Sequence, residues 1–400
     1  MFETIPAAAP DPILGLQATF KADPRAGKVN MAIGVYCDAQ GKTLSLKAVV
    51  EAEKRLLEKH PGHGYLPIEG LAEYGAVVRE MLFGAGHPLV KDGRAITAQC
   101  PGGTGALRVT ADLLGTHRKG ATVWISDPTW PNHFGIFQGA GLATKTYRYF
   151  DAASNSLNLA AMLEDLKALK PGDAVLLHGC CHNPTGVDPT AAQWKQIAEA
   201  VKAAGALPIV DFAYQGFGDG LEEDAAGLRI ILGICPEVIV CSSFSKNFGL
   251  YGERAGAMTL VAANADIANT ALTQVRMAVR TNYSNPPAHG ARVVAMVLSN
   301  PELKQMWQDE LKQMCGRIFG VRKALRQALD QRGVKLHKDG NAFIETQRGM
   351  FTMSGLTKAQ VERLQKEYGI FIVGSGRINV AGITDAVLVP VADAIAAVVK

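Results

Sequence analysis

The chain has 400 residues, more than one hydrophobic core usually serves, so two domains are expected. Its 48% hydrophobic and 20% charged content is ordinary for a soluble globular protein, and its net charge of +4 comes without a Lys/Arg block or an aromatic-laced basic stripe, which argues against a nucleic-acid partner. No uncharged apolar stretch is long enough to suggest a membrane span, and seven scattered cysteines do not resemble a disulfide framework, so reduced thiols, a cytoplasmic location and no membrane partner are expected.

The opening MFETIPAAAPDP has an early glutamate and three prolines, and lacks the basic and apolar regions of a signal peptide. The first chemically suggestive segment is PGGTGALRVTADLL. Glycines at a helix start let backbone N–H groups approach a phosphate, and Thr104 adds a hydroxyl. The segment is neither a Walker sequence nor a clean dinucleotide fingerprint, and no convincing strand is read before it. A plain glycine-rich helix start describes it equally well.

From about residue 95 to 260, short apolar runs alternate with amphipathic ones. Strands are predicted at Val123 to Ser126, Ala174 to His178, Leu207 to Val210, Val238 to Ser242 and Ala257 to Val261. They are rich in Val, Ile and Leu and do not alternate, as strands buried on both faces should be. Helical segments such as AAQWKQIAEAVKAAG, ended by Gly205, lie between them. The fold class expected is α/β with a mostly parallel central sheet. Two long charged helices, near Glu302 to Gln331 and Thr357 to Tyr368, flank short strands and suggest a smaller α+β domain.

Ligands of open α/β sheets bind beyond the carboxyl ends of the strands. After VWIS comes DPTWPNHFGIF, where Trp130 either fills core or stacks on a flat ligand. After AVLLH comes GCCHNPTGVDP, either a plain turn or a loop presenting the Asn183 amide. His178, Cys180, Cys181 and His182 are all metal-ligand types, but they crowd into five residues where strand neighbours point to opposite faces, and no metal site is expected. After LPIV comes DFAYQGF. There Asp211 either caps a turn or holds a cationic ring nitrogen, with the Tyr214 phenol close by. After VIVCS comes SFSKNFGLYGERAG, either a surface loop or an anion site in which Ser243, Ser245 and Arg254 surround Lys246.

Taken together, these groups describe one ligand. It has a phosphate for Gly103, Thr104, Ser243 and Arg254, and an aromatic ring for Trp130. It has a basic ring nitrogen for Asp211, an anionic ring oxygen for Tyr214 and Asn183, and an electrophilic carbon for Lys246. Pyridoxal phosphate meets all of these requirements.

The ordered segments YLPIEGL, PGGTGALRV, PTWPNH, HNPTGVDP, DFAYQGF, SFSKNFGLYGERAG, NYSNPPAHGA and SGRINVAG resemble those of class I aminotransferases, most closely the aspartate and aromatic amino acid subgroup. The resemblance runs from about residue 10 to the C-terminus. It implies pyridoxal-phosphate fold type I, with an N-terminal arm at 1–11, a small domain at 12–42 and 301–400, and a large cofactor domain at 43–300. It implies a homodimer with shared active sites. Lys246 would carry the cofactor as a Schiff base and move the proton. Asp211 would pair with the ring nitrogen, with His133 behind it, and Tyr214 and Asn183 would hold the ring oxygen. Trp130 would stack on the ring; Gly103, Thr104, Ser243, Ser245 and Arg254 would hold the phosphate. Tyr65 would reach the phosphate from the neighbouring subunit. Arg377, with Asn183, Trp130 and the Gly34 backbone, would clamp the substrate α-carboxylate. Arg280 of the other subunit would bind a side-chain carboxylate.

Cys37 and Gly64 depart from the aspartate-type pattern, whereas Thr104 and Asn285 keep to it, so both dicarboxylic and aromatic amino acids are expected as substrates. A nicotinamide-dependent oxidoreductase would explain PGGTGALRV and the sheet but leaves Lys246, Asp211 and Asn183 without roles. A non-catalytic binding domain is disfavoured by the full set of reactive residues.

Overall fold

The computed structural model describes residues 2–8, 11 and 13–400; of the expected N-terminal arm, Met1, Ala9 and Pro10 lie outside them. The chain forms two compact units, one of residues 44–183 and 187–316, the other of residues 1–43, 184–186 and 317–400. Among the described residues, no helix is long and apolar enough to cross a membrane.

The larger unit is built on a seven-stranded sheet: β1 (Ala95–Pro101), β2 (Thr122–Asp127), β3 (Ala143–Arg148), β4 (Ala174–His178), β5 (Leu207–Phe212), β6 (Val238–Ser243) and β7 (Ala255–Val261). Their spatial order is β1-β7-β6-β5-β4-β2-β3. Strands β3, β2, β4, β5 and β6 are parallel, while β7 runs antiparallel to both β6 and β1. All five expected strands are present. Strand β5 continues two residues beyond the expected end, because Asp211 and Phe212 stay in register with Cys241 and Ser242 of β6.

Two strands were not expected, and one corrects the reading of the glycine-rich segment. Strand β1 ends at Pro101 and feeds directly into helix α1 (Gly102–His117). Its polar residues are satisfied internally: Thr97 and Thr259 share a hydroxyl hydrogen bond of 2.9 Å, and the Gln99 amide donates to the Pro287 carbonyl. The other, β3, is an edge strand whose residues are mostly exposed. Helix α1 packs on β7, β6 and β1, and its buried residues Ala106, Leu107, Val109 and Leu114 join a core that includes Ile125, Leu176, Ile209 and Ile239. The segment AAQWKQIAEAVKA is helix α2 (Ala191–Ala203), started by a capping box between Thr190 and Gln193. Helix α3 (Ala265–Asn282) closes over α1.

In the other unit, short strands pair Phe351–Met353 antiparallel with Arg377–Asn379, and Val29–Asn30 parallel with Ile370–Phe371. The helix Lys358–Tyr368 starts on a Thr357–Gln360 capping box and ends at Gly369, whose φ of +68° suits glycine. Arg322 is fully buried here, its guanidinium donating to the carbonyls of Ile344, Arg348, Gly349 and Phe351. The long helix Pro301–Gln331 supplies residues to both units.

Candidate active site

The start of α1 and the segments at the ends of β2, β4, β5 and β6 carry most of the expected residues in the larger unit. Asp211 sits within β5 and is 7% exposed. Its carboxylate meets His133 Nε2 at 2.9 Å, and His133 Nδ1 meets the Thr129 hydroxyl at 2.8 Å. Burial pushes the Asp211 carboxyl up. The His133 hydrogen bond, aided by the charges of His133 and Lys246, outweighs burial and leaves the group below the ordinary carboxylate range. Asp211 is therefore a buried, ionised carboxylate, an arrangement suited to a cationic partner.

Lys246 follows β6, with its Nζ 5.4 Å from the centre of the Tyr214 ring. Its loop is firmly anchored. The flanking Phe244 and Phe248 are buried, and Phe248 stacks on Trp307 with ring centres 4.6 Å apart. Trp307 Nε1 donates to the Asn247 carbonyl at 2.7 Å, and the Asn247 amide donates to the Gln215 carbonyl at 3.1 Å. The latter bond ties the loop of Lys246 to the loop of Tyr214. Tyr214 and Asn183 are each 6% exposed. Trp130 is half-buried and packs edge-on against His133, with ring centres 5.2 Å apart.

A candidate anion cradle lies where α1 begins. Gly103 lies so close to Ser243 that a Cβ there would sit 3.2 Å from the Ser243 Cβ. Ser243 and Ser245 are buried and share a hydroxyl hydrogen bond of 3.2 Å. Arg254 adopts a left-handed φ of +54°, and its guanidinium donates to the carbonyls of Tyr251 and Pro101 at 3.1 and 3.4 Å. A Cβ on Gly102 would fall 2.3 Å from Arg254 Nη2, so only glycine leaves the guanidinium its place. With Thr104 in the first turn, the cradle offers backbone N–H groups, hydroxyls and one guanidinium to a single anion.

Tyr65 and Arg280 lie elsewhere on the same unit. Tyr65 is 95% exposed, and both line an open cavity of about 1330 Å³ together with His63, Asn285 and Pro287. Arg280 donates to the Ser284 hydroxyl, and the Asn285 amide donates to the Leu66 carbonyl at 2.8 Å. Arg377 and Gly34 belong to the other unit. The buried Arg377 guanidinium lies 4.3 Å from the centre of the Phe351 ring and donates to the Ala32 carbonyl. A Cβ on Gly34 would meet the same ring at 2.9 Å.

The sequence singled out His178 and His182 only as unused metal ligands. They lie behind Asp211 in a row of rings: His133 to His178 at 5.2 Å, His178 to His182 at 4.3 Å, and His182 stacked on Tyr149 at 3.9 Å. The alternation argument used against metal does not hold at the strand end. Cys181 has a φ of +51°, and its thiol, the Cys180 thiol and an Asp224 oxygen lie within 4.8 Å of one another, as do single ligand atoms of His133, His178 and Asp211. These carboxylates have other work: Asp224 accepts from the backbone N–H groups of Gly216, Gly218 and Asp219, and Asp211 accepts from His133.

Burial, then the charge of His133, push His178 down to about 3, against the pull of Asp211. The unfolded chain therefore takes up a proton as pH falls through the ordinary histidine range, and the folded chain does not. Stability is expected to fall from about pH 6.5 toward pH 3, with His178 contributing up to about 1.4 kcal/mol per pH unit. Urea unfolding between pH 4.5 and 6.5 should show a slope reduced by about one proton in His178→Gln; an unchanged slope would contradict a neutral buried His178.

The family model "Aminotransferase class I and II" matches residues 26–395. The chain belongs to this aminotransferase family. It is 51% identical to the aspartate aminotransferase of Escherichia coli K12 over 398 residues, covering 100% of both chains. It is 45% identical to the aromatic-amino-acid aminotransferase of the same organism, again covering 100% of both. Among solved structures, an aromatic-amino-acid aminotransferase from Burkholderia pseudomallei, covalently bound to pyridoxal phosphate, superposes with a TM-score of 0.97 at 48% identity, with 100% of each chain covered. The cytoplasmic aspartate aminotransferase of Saccharomyces cerevisiae gives a TM-score of 0.96 at 37% identity, covering 100% of this aminotransferase and 98% of the yeast chain. The expected fold, pyridoxal-phosphate type I with a large and mostly parallel sheet, agrees with these neighbours.

Proposed function

We propose that this aminotransferase uses pyridoxal 5'-phosphate to move the amino group between aspartate or an aromatic amino acid, tyrosine or phenylalanine, and a 2-oxo acid such as 2-oxoglutarate. The observation that carries the cofactor is the buried Asp211 carboxylate, kept ionised by His133 and lying within the electrostatic reach of Lys246. When bound, the cofactor supplies an electron sink beside the amino acid's α-carbon. Lys246 holds the cofactor covalently, then acts in its neutral form as the base for the α-proton and returns that proton. Asp211 keeps the ring nitrogen protonated. Tyr214 and Asn183 donate to the ring oxygen, and Trp130 covers the ring face. Gly103, Thr104, Ser243, Ser245 and Arg254 hold the phosphate.

Arg377 is the residue assigned to the substrate α-carboxylate, and orientation of the breaking C–H bond is its contribution. Tyr65 and Arg280 act on the site of a second copy in a cytoplasmic homodimer. Their exposure on the wall of one open cavity supports this reading.

Arg280 should favour dicarboxylic substrates, while Cys37 and Gly64 leave walls small and uncharged enough for a ring. Arg280→Leu is expected to lower kcat/KM for aspartate by about 10²-fold or more and to change that for phenylalanine less than tenfold, since a buried charge without its partner is the larger loss. Measuring kcat/KM for aspartate, glutamate, tyrosine and phenylalanine with 2-oxoglutarate, in both proteins, tests the reading. Equal losses for aspartate and phenylalanine would overturn the role of Arg280, and no turnover with any of the four would overturn the substrate class.

A further inference from the structure

A second cavity, of about 200 Å³, lies at the opposite end of the sheet from Lys246. It opens at the starts of β5 and β6 and the end of β7, between the C-terminal part of α1 and the N-terminal half of α3. Its walls are apolar: Leu114, Leu207, Ile239, Leu260, Ile267 and Ala271. An apolar cavity of about 150 Å³ takes a benzene-sized ring, so this one admits a phenyl group or a branched aliphatic chain. Ile267 is 43% exposed on α3, although it faces this cavity.

The rim carries two opposite charges. Arg118, the residue that caps α1, and Glu237, the residue before β6, both border the cavity. Neither side chain has an ion-pair or hydrogen-bond partner among the described residues, although Glu237 is half-buried. Arg118 alone would be accounted for by its favourable place at a helix C-terminus. That place does not explain a half-buried, unpartnered carboxylate on the same rim. Beside them, His117 Nε2 and Gln274 Oε1 lie 3.1 Å apart, joining the two helices across the rim. A ligand matching this site has an apolar body, an anionic group for the Arg118 fork and a cationic group for Glu237.

We propose that this cavity is a second binding site, separate from the active site, for an α-amino acid with an apolar side chain. The side chain fills the cavity, the α-carboxylate meets Arg118, and the α-ammonium meets Glu237 and the negative end of α1. No bond is made or broken there. The proposal goes beyond the transamination reading, because none of these residues takes part in it.

The test is ligand-observed ¹⁹F NMR with L-4-fluorophenylalanine and the cofactor-loaded enzyme, in a saturating excess of succinate to occupy the active site. The expected result is a binding equilibrium that persists under succinate and weakens about tenfold or more in Arg118→Ala and in Glu237→Gln. Ala271→Phe, which fills the cavity, should abolish it. 3-(4-Fluorophenyl)propionate, which lacks the ammonium group, should bind about tenfold more weakly or worse. Turnover should be unchanged in all three variants. Absence of binding under succinate, or binding that none of the variants alters, would overturn the site. Equal binding of the propionate would overturn the recognition of a zwitterion by Glu237. Failure of the aminotransferase reading would show separately, as absent turnover in the enzyme without succinate.

Discussion

Lys246→Ala is expected to reduce turnover of aspartate by about 10⁴-fold or more, the upper range for removal of a general acid–base group, with loss of covalent attachment adding to it. The fold should survive. Lys246 is half-buried, while its loop is held by Phe244, Phe248 and the Trp307–Asn247–Gln215 bonds, none of which uses the lysine side chain. The variant should therefore keep its thermal midpoint within a few degrees, which separates a chemical loss from a structural one. Borohydride reduction of the native enzyme followed by peptide mapping should label Lys246. Label on another lysine, or turnover within tenfold of wild type in Lys246→Ala, would remove this residue from the reaction.

Asp211→Asn should lower kcat by about 10²–10³-fold, the cost of removing one preorganised electrostatic partner from a buried site. Its isosteric amide can still meet His133 but carries no charge to hold a ring nitrogen protonated. The loss should be chiefly in kcat, because the role proposed for Asp211 is toward the cofactor ring and not the substrate carboxylates. His133→Asn should cost less, since it removes the hydrogen bond that lowers the Asp211 pKa while leaving the carboxylate in place. Steady-state kinetics of both variants across pH decide the matter. A loss confined to KM, or a His133 variant worse than the Asp211 variant, would contradict this ordering.

Much of this candidate site could be read from the sequence, because the proposed groups come in short runs at the ends of buried strands. Lys246, Asp211 and Asn183 each follow or end a run of Val, Ile and Leu that has little choice but to be a central strand. What stayed hidden had a physical reason. Strand β1 was missed because Thr97 and Gln99 look like solvent-facing residues, and their partners, Thr259 and Pro287, lie more than 160 residues away in the chain. Strand β5 was cut short because an aspartate normally ends a buried run; here a histidine 78 positions earlier satisfies it. His133 was expected behind Asp211 from the resemblance, and it meets that carboxylate; that His178 and His182 extend the row is set by the packing of β4, β5 and the loop after β2. Cys180 and Cys181 were expected to point apart by strand alternation, which no longer applies once β4 has ended at His178.

Arg322 turns an irregular stretch of backbone into a structure with a single point of failure. Between residues 344 and 351, few carbonyls are taken up by strand or helix pairing, and one guanidinium gathers four of them. The same stretch ends at Phe351, whose ring supports Arg377 and limits Gly34. A lysine at 322 would keep the charge but, as a point donor, could not span so many acceptors. The geometry of Arg377, the arginine proposed to bind a carboxylate, thus depends on a second arginine 55 positions earlier. Tolerance to mutation in this unit should accordingly be lowest at a residue with no chemical role at all.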